Sequence, residues 1–349
     1  MADASPTRIP NRFIMLWSGP RFPLHARIAV ESILLADPTT TVELHLFGER
    51  PTEAPHFRAV AELERVELHH LDPDTAFARL WPHEPELRRL YDAIPAEAHS
   101  ARSNLLRYAV LYDRGGIYVD FDIVMLRDLR HLLDLPAFVG EERVWRVDEA
   151  RVEGRRASWM IAPTLAYLAA WAIHRTIAFF GGAPLADRGA IAALDRAWSA
   201  PALNNAVLGA EPGSPWIRRL LVAALDASPT VRFALGPSLV TRAWDEDSSD
   251  VVRLACEAFY CEPPSYSFRF FSGRPGPLPP EALLIHHVSS NHGRLLQALD
   301  HDLLRDRADG PLFYRLAADV ARRAESLPRR HPPRPTDAAV VASSALALA

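Results

Sequence analysis

Two aspartates two residues apart, Asp120 and Asp122, are the side chains whose spacing points most directly to chemistry. They follow a short apolar run, which places them at the end of a predicted buried strand. Carboxylates that lose their water repel each other unless a positive charge lies beside them, and a divalent cation is the simplest such charge. Hard cations such as Mg²⁺ or Mn²⁺ take oxygen ligands and are usually shared with the phosphates of a substrate. The pair therefore predicts a metal site for a phosphate-containing substrate.

A helix and a glycine turn lead into this pair. Apolar residues recur at helical spacing over 101–113, and Ser100 is a suitable N-cap. Gly115 and Gly116 follow, and glycine adopts the left-handed conformation of a helix stop without steric strain. Residues 117–119 are β-branched or aromatic, which is typical of a short strand. The acids are thus expected directly after a helix, a turn and a strand.

The predicted helix carries one polar stripe. Ser103, Asn104 and Arg107 stand at positions i, i+1 and i+4 of an otherwise apolar helix. We expect this stripe to face the same crevice as Asp120 and Asp122, where it would contact the substrate.

A second group of candidate ligands lies near the C-terminus. Three apolar residues lead into His286 and His287, so a predicted strand delivers two imidazoles to its end. Neutral histidine is a good ligand for first-row metals. Adjacent side chains on a strand point to opposite faces, and one residue of register decides which histidine points inward. Both histidines therefore stay candidates for a third metal ligand.

The N-terminal third has the pattern of parallel β-α-β units. Residues 12–17, 42–47 and 66–71 read as strands, and residues 24–35 read as a helix after the first of them. In open α/β sheets, ligands bind beyond the carboxyl ends of the strands. Trp17 stands at such an end. By the same alternation along a strand, His69 and His70 are expected to be a solvated pair without a metal.

Composition limits the class of protein. A chain of 349 residues, 49% hydrophobic and 23% charged, suits one α/β domain with insertions, and the formal charge of −4 gives no bulk attraction to nucleic acid. All basic residues other than histidine are arginine, which hints at a GC-rich bacterial genome. The polar first twelve residues are unlike a secretory signal, so a cytoplasmic location is expected. Two cysteines suggest reduced, packed thiols.

Three segments are assigned by their composition. Residues 160–180 are apolar but interrupted by Pro163, His174 and Arg175, so we expect a buried strand or helix and no integral membrane span. Residues 141–156 are densely charged and read as an exposed loop. We expect a catalytic domain over 1–325 and a flexible Pro/Arg linker with an Ala-rich tail over 326–349.

Helix, Gly-Gly, strand and D-x-D together resemble the metal-dependent glycosyltransferases of the GT-A fold that carry a DXD sugar-binding region. This group includes capsule and sphingolipid sugar transferases and, more distantly, the large clostridial glucosylating toxins. Its pattern, R-S-D-x-x-R-Y-x-x-L-Y-x-x-G-G-I-Y-x-D-x-D, is matched at Arg102, Ser103, Arg107, Tyr108, Leu111, Tyr112, Gly115, Gly116, Ile117, Tyr118, Asp120 and Asp122. The chain departs from it at Asn104, where the family has aspartate. The resemblance implies a Rossmann-like open mixed sheet flanked by helices, as a single α/β domain with helical insertions.

The resemblance also implies roles at the donor site. A divalent Mn²⁺ or Mg²⁺ would be held by Asp122 and His287, with Asp120 on the sugar, the ribose or a metal-bound water. Arg107 and Asn104 would hold sugar hydroxyls, beside Ser103. Trp17 stands where related toxins stack a tryptophan on uracil.

Two later segments carry further implied contacts. Residues 203–221 resemble the family segment N-x-x-x-x-x-x-P-x-x-P, which would turn Asn204 or Asn205 toward the sugar phosphate, and residues 236–241 resemble its G-P-x-x-x-T. Only the two histidines match the family's H-H-W-x-x-S-W. Ser290 and Asn291 would lie near the phosphates, and His292 stands where the family has the tryptophan at the leaving phosphate.

The function implied is transfer of a sugar from a nucleotide sugar, a UDP-hexose, to an unidentified acceptor with retention of anomeric configuration. The acceptor is a glycan, lipid, natural product or protein. Asn104 keeps open a non-catalytic sugar-nucleotide binder. A haloacid dehalogenase-type phosphatase is the third alternative, because Asp120 to Val124 loosely fits its D-x-D-x-[TV] motif and Asp245 to Asp247 its acidic motif, although the chain has no lysine for the phosphate.

Overall fold

A computed structural model describes residues 9–80, 82–145, 199–231, 233–272 and 278–330, together with helical positions between 165 and 177. The elements of the first half are β1 (Arg12–Trp17), α1 (Leu24–Ala36), β2 (Thr41–Leu46), α2 (Pro55–Ala61), β3 (Val66–His70), α3 (Pro73–Ala76), α4 (Glu84–Ala93), α5 (His99–Arg114), β4 (Gly116–Val119), β5 (Ile123–Met125) and β6 (Ala137–Trp145). Of these, β1, α1, β2, β3, α5 and β4 lie within two residues of the bounds predicted from the sequence.

The second half continues the same alternation with shorter helices. Its elements are β7 (Ser199–Ala210), α6 (Pro215–Ala224), α7 (Pro237–Glu246), β8 (Val252–Leu254), α8 (Cys256–Phe259), β9 (Leu284–His286), α9 (Gly293–Gln297), α10 (His301–Asp306) and α11 (Leu312–Ala324). Short 3₁₀ turns occupy Arg130–Leu132, Pro264–Phe270 and Ser289–Asn291.

The main sheet has seven strands in the order β3-β2-β1-β4-β7-β6-β8. β7 is antiparallel to both β4 and β6, and the remaining pairs are parallel. The predicted α/β class, an open mixed sheet flanked by helices, is confirmed. Because β1 and β4 are parallel neighbours, Trp17, the last residue of β1, and Asp120, the first residue after β4, lie at the same edge of the sheet.

Alternation along β1 divides the core into two layers. Phe13 and Met15 pack with α1 on one face, and Ile14 and Leu16 pack with α5 on the other. Fully covered parallel strands read as near-continuous apolar runs, as β1 does.

The turn from α5 into β4 depends on its two glycines. Gly115 has φ +62° and Gly116 has φ +125°, conformations that side chains rarely adopt. A Cβ at Gly115 would lie 2.5 Å from Pro212 Cδ. The predicted glycine turn therefore also permits close contact with the chain that follows β7.

A separate two-stranded sheet, β5 with β9, carries the histidines to the aspartates. Its antiparallel register pairs Ile123 with His286, and the backbone N–H of His287 donates to the Asp122 carbonyl at 2.8 Å. The strand predicted to end in two imidazoles is present, and it ends against the D-x-D turn.

Two segments differ from the expectation. Residues 141–145 belong to β6 rather than to an exposed loop, and Trp145 is 1% exposed because it packs on Tyr266. The rest of that segment, 146–156, lies outside the described residues. In the apolar segment 160–180, the described positions are helical, but Leu165 and Leu168 are exposed rather than buried. Among the residues described, no helix has the length and apolarity that a bilayer crossing requires.

The described part of the predicted tail lies against the domain. Arg329 forms an isolated antiparallel bridge with Leu63, and the Arg330 N–H donates to the Glu62 carbonyl at 2.8 Å. Residues 331–349 lie outside the described residues.

Candidate active site

Asp120 and Asp122 occupy the turn between β4 and β5, at the carboxyl end of β4. The backbone N–H of Asp120 donates to the Ala206 carbonyl of β7 at 2.9 Å. The turn is thereby fixed to the strand that carries Asn205.

Two side chains, Tyr118 and Arg107, contact one carboxylate oxygen of Asp120. Tyr118 donates its hydroxyl to Asp120 Oδ1 at 2.5 Å, and an Arg107 nitrogen lies 3.1 Å from the same oxygen. The Arg107 guanidinium also donates to the Asn205 carbonyl at 2.6 Å and stacks over the Tyr118 ring at 4.2 Å. Burial raises the pKa of Asp120, although Arg107 favours its ionised form. Arg107 is 4% exposed, so the Asp120 carboxylate balances a guanidinium charge that has little access to water.

Asp122 has a different environment. Its Oδ2 accepts the backbone N–H of Ser289 at 2.9 Å, while its Oδ1 lies 3.2 Å from His286 Nε2. Burial opposes ionisation of Asp122, but the charge of His286 outweighs it and holds the pKa of the carboxyl well below its ordinary value. Burial opposes the charged form of His286 as well, but the Asp122 charge outweighs it and raises the pKa of His286 to about 9. The two groups form an acid–imidazole pair.

His287 is fully buried in an aromatic pocket. Its ring makes edge contacts with Phe271, Phe313 and His25, at centroid distances of 5.8, 4.9 and 5.9 Å. Burial lowers its pKa to about 3, so the ring is neutral at pH 7. Neither ring nitrogen has a hydrogen-bond partner among the described residues. Buried polar atoms are nearly always paired, so this ring needs a ligand or a water.

The polar stripe of α5 meets β7. The amide nitrogen of Asn205 donates to Asn104 Oδ1 at 3.0 Å and to the Tyr108 hydroxyl at 3.2 Å. A Cβ at Gly236 would lie 3.0 Å from the Asn104 amide nitrogen, so glycine at that position leaves room for the pair. Of the two predicted asparagines, Asn205 therefore joins the stripe.

Trp17 borders the same turn. Its ring lies edge-on to Phe121, the residue between the two aspartates, at 4.9 Å, and its indole N–H donates to the Gly19 carbonyl at 3.1 Å. The ring is only partly buried, which leaves part of its surface open at the carboxyl end of β1.

The segment after the histidines is fixed by side-chain contacts. Val288 has φ +51°, a conformation that is strained for a β-branched residue and directs the next N–H to Asp122. Asn291 donates to the Pro264 carbonyl at 3.0 Å, and His292 Nε2 lies 2.9 Å from Ser267 Oγ. Ser103 and Ser290 are partly exposed and exposed, respectively.

Glu142 is the residue that the sequence did not suggest. It is 3% exposed, and its Oε2 accepts the amide N–H of Asn204 at 2.7 Å. Burial raises the pKa of Glu142, and the charge of His286 is the main effect that opposes this rise. The Glu142 carboxyl therefore interacts electrostatically with the acid–imidazole pair. Its position in a densely charged segment gave no signal of burial.

The types of ligand atom in this site suit a divalent cation. Asp122 Oδ1 and both nitrogens of His287 are buried without hydrogen-bond partners among the residues described. Carboxylate oxygen and imidazole nitrogen together suit Mn²⁺, and the oxygens suit Mg²⁺.

Residues 61–142 match the family model described as "Glycosyltransferase sugar-binding region containing DXD motif". This part of the chain is a DXD-type glycosyltransferase region. The match spans Asn104, Arg107 and both aspartates, and it confirms the predicted resemblance to glycosyltransferases with a DXD region and the glycosyltransferase type of enzyme.

Solved glycosyltransferase structures are similar to this chain at low identity. PaToxG glycosyltransferase is 15% identical with a TM-score of 0.44, over 69% of this chain and 71% of that one. The apo form of mouse xyloside xylosyltransferase 1 is 15% identical with a TM-score of 0.44, over 79% and 98%. The galactosyltransferase LgtC, in complex with donor and acceptor sugar analogues, is 11% identical with a TM-score of 0.40, over 79% and 86%. No curated protein matches the chain.

Proposed function

We propose that this glycosyltransferase uses a divalent metal, Mn²⁺ or Mg²⁺, to transfer a hexose from a UDP-sugar to an acceptor with retention. The observation that supports it most is the acid–imidazole pair of Asp122 and His286 at the carboxyl end of β4, within the DXD region. Retention is carried over from the family resemblance.

The metal would be held by Asp122, by Asp120 and by an imidazole of the 286–287 pair. When bound, it supplies charge neutralisation to the departing diphosphate. The distance of 3.2 Å from His286 Nε2 to Asp122 Oδ1 supports His286, whereas the two unpartnered nitrogens of His287 support the predicted His287.

The remaining residues would bind and orient the donor. Arg107 and Tyr118 fix Asp120 in one orientation, which leaves its Oδ2 for the sugar, the ribose or a metal-bound water. Asn104 and Asn205 present amide groups to the sugar, and Trp17 offers a ring face for the uracil. Ser103, Ser290, Asn291 and His292 are proposed as further donor contacts. Preorganised contacts of this kind stabilise charge as it develops on the diphosphate.

A thermal-shift experiment tests donor binding. After treatment with EDTA, the chain is melted with UDP, with Mn²⁺ and with both. A ligand at a hundredfold excess over its Kd stabilises the native state by about 2.7 kcal/mol, so we expect UDP with Mn²⁺ to raise the Tm by roughly 5 °C above either alone. An equal Tm in all samples would contradict the proposal.

Turnover and stereochemistry need a second experiment. UDP release from several UDP-sugars, with and without Mn²⁺, measures transfer or donor hydrolysis, and the anomeric proton coupling of the released sugar or product reports its configuration. Inversion would overturn the stereochemical part alone.

His286→Ala and His287→Ala distinguish the two imidazoles. The variant that lacks the metal ligand needs at least about tenfold more Mn²⁺ for half-maximal UDP release, since even supporting residues around a metal contribute 10–100-fold to its affinity. Equal Mn²⁺ requirements in both variants and the wild type would exclude an imidazole ligand.

A non-catalytic binder is the second candidate, because Asn104 replaces the aspartate of the family pattern. It predicts the same UDP-dependent Tm shift with no UDP release from any donor. The phosphatase alternative has less support, since Asp245 and Asp247 are exposed near the end of α7 and Asp247 pairs with Arg219. Hydrolysis of a chromogenic phosphate ester with Mg²⁺ would favour it.

A further inference from the structure

A second acid–histidine cluster lies on the face of the sheet that packs against α5. Glu43 and His45 stand two residues apart on β2 and are 2% and 3% exposed, so they share one face. His69 on β3 is the register partner of His45. Among the residues that the structure describes, this is the one group of three acid, histidine or cysteine side chains whose ligand atoms all lie within 4.8 Å of one another.

The atoms of this cluster converge on one point. His45 Nε2 lies 3.1 Å from Glu43 Oε2, and His69 Nε2 lies 4.0 Å from the same oxygen. The two imidazole rings are stacked, with centroids 4.8 Å apart and planes at 16°. Two ligands of a tetrahedral zinc ion are about 3.3 Å apart when each bond is about 2.0–2.1 Å. Small side-chain rotations would therefore bring the three atoms to metal-binding distance.

One atom of the cluster lacks a partner. His69 Nε2 is buried without a hydrogen bond, although Glu67 Oε2 lies 3.5 Å away. His69 itself is 29% exposed at the edge strand, which provides a path for an ion from solvent.

The charges around Glu43 determine which ion suits the cluster. Arg114 donates to both Glu43 oxygens, at 2.7 and 2.8 Å, and Arg12 donates to Oε1 at 2.7 Å. These two arginines balance Glu43 and Glu67, so no excess negative charge attracts a hard cation. Affinity would come from the two imidazoles, which favour zinc over magnesium or manganese. The Arg114 contacts would orient the ligating carboxylate, as outer-shell partners do in metal sites.

We propose that Glu43, His45 and His69 form a zinc site that joins the edge strand β3 to β2. The fourth position is open toward solvent, where a water completes the tetrahedron. The site is separate from the donor site in both residues and preferred metal, and it does not depend on the proposed transfer reaction.

Zinc titration of the full chain after EDTA treatment and dialysis tests the site, with a chromophoric chelator as competitor. His69→Gln removes a ligand at a partly exposed position. The matched control is His70→Gln, the next residue on the same strand, which is exposed. We expect the wild type and His70→Gln to bind one Zn²⁺ equally well and His69→Gln to bind it at least about 30-fold more weakly.

A third variant, Asp122→Asn, separates this site from the donor site and is expected to keep the same zinc affinity. Co²⁺ provides a readout that a general loss of stability would not imitate, because tetrahedral Co²⁺ gives visible absorption bands that His69→Gln would lose and His70→Gln would keep. Equal affinities in the two histidine variants, loss of zinc in Asp122→Asn, or no zinc binding by the wild type would each overturn the proposal.

Discussion

Two buried acid–histidine clusters, one beyond the end of β4 and one within β2 and β3, differ in what balances their carboxylates. At the β4 edge, Asp122 has one backbone N–H on Oδ2 and an imidazole near Oδ1. In the middle of β2, Glu43 accepts from two arginines and lies beside His45. The first cluster keeps an oxygen free of hydrogen bonds, whereas the second is already neutralised by side chains.

Position along the strand accounts for the difference. A carboxylate at the end of a strand borders the crevice in which ligands bind, so a substrate and its cation complete its environment. A carboxylate in the middle of a strand is covered by neighbouring strands and a helix, so it needs permanent partners. Accordingly, we expect the first cluster to control turnover and the second to control stability.

The largest expected effect is on turnover. Asp122→Asn keeps the size of the side chain but removes the charge, and a loss of several kcal/mol of stabilisation of the diphosphate lowers UDP release about a thousandfold. Asp128→Asn, an aspartate of the same region paired with Arg130 at the surface, is the control and should stay within about threefold. Equal rates in both variants would remove Asp122 from the reaction.

A smaller effect, on both stability and turnover, is expected from Arg107→Met. Removing one member of a buried ion pair destabilises a protein by about 3–5 kcal/mol. Asp120 is 31% exposed, so we expect about 2–3 kcal/mol in chemical denaturation, together with loss of donor turnover. Arg102→Met on the same helix removes hydrogen bonds to the Ile94 carbonyl and a contact with the Tyr91 ring at 4.9 Å, but no buried ion pair, and should cost about 1 kcal/mol. A reversed order would mean that Arg107 does not support Asp120.

The second cluster should respond in stability alone. Arg114→Gln removes the two hydrogen bonds to Glu43, and because Arg114 is 33% exposed we expect a loss of about 1–2 kcal/mol. UDP release per folded molecule should stay within about threefold of the wild type. A hundredfold loss of turnover without loss of stability would break the contrast between the two clusters.

The smallest effect is expected from Asn104→Asp, which restores the residue of the family pattern. Asn205 would still donate to position 104, so stability should change by less than about 1 kcal/mol. The added charge would change the relative rates with different UDP-sugars by up to about tenfold. An unchanged order of donors would show that Asn104 does not contact the sugar.

The sequence predicted the elements with strong periodicity and the local motif, because both depend on neighbours in the chain. The helix before Gly115, the first strand and the strand into His286 were all predicted close to their observed limits. The burial of Glu142 was not predicted, since it results from pairing of β6 with β7 across some sixty residues. The pairing of His69 with His45 was missed for the same reason. His70 is the neighbour of His69 in the chain, but the register between β2 and β3 places His45 beside it.

The placement of β7 between β4 and β6 has a consequence for how the enzyme assembles. Arg107 donates to the Asn205 carbonyl, and the backbone N–H of Asp120 donates to the Ala206 carbonyl. Residues 61–142 therefore reach the observed arrangement only when β7, nearly a hundred residues later in the chain, lies beside β4. Contacts between residues so far apart in the chain slow folding, because the long loop between them must close first. A fragment that ends at residue 145 would contain every residue of the motif and would still lack a pocket for the sugar donor.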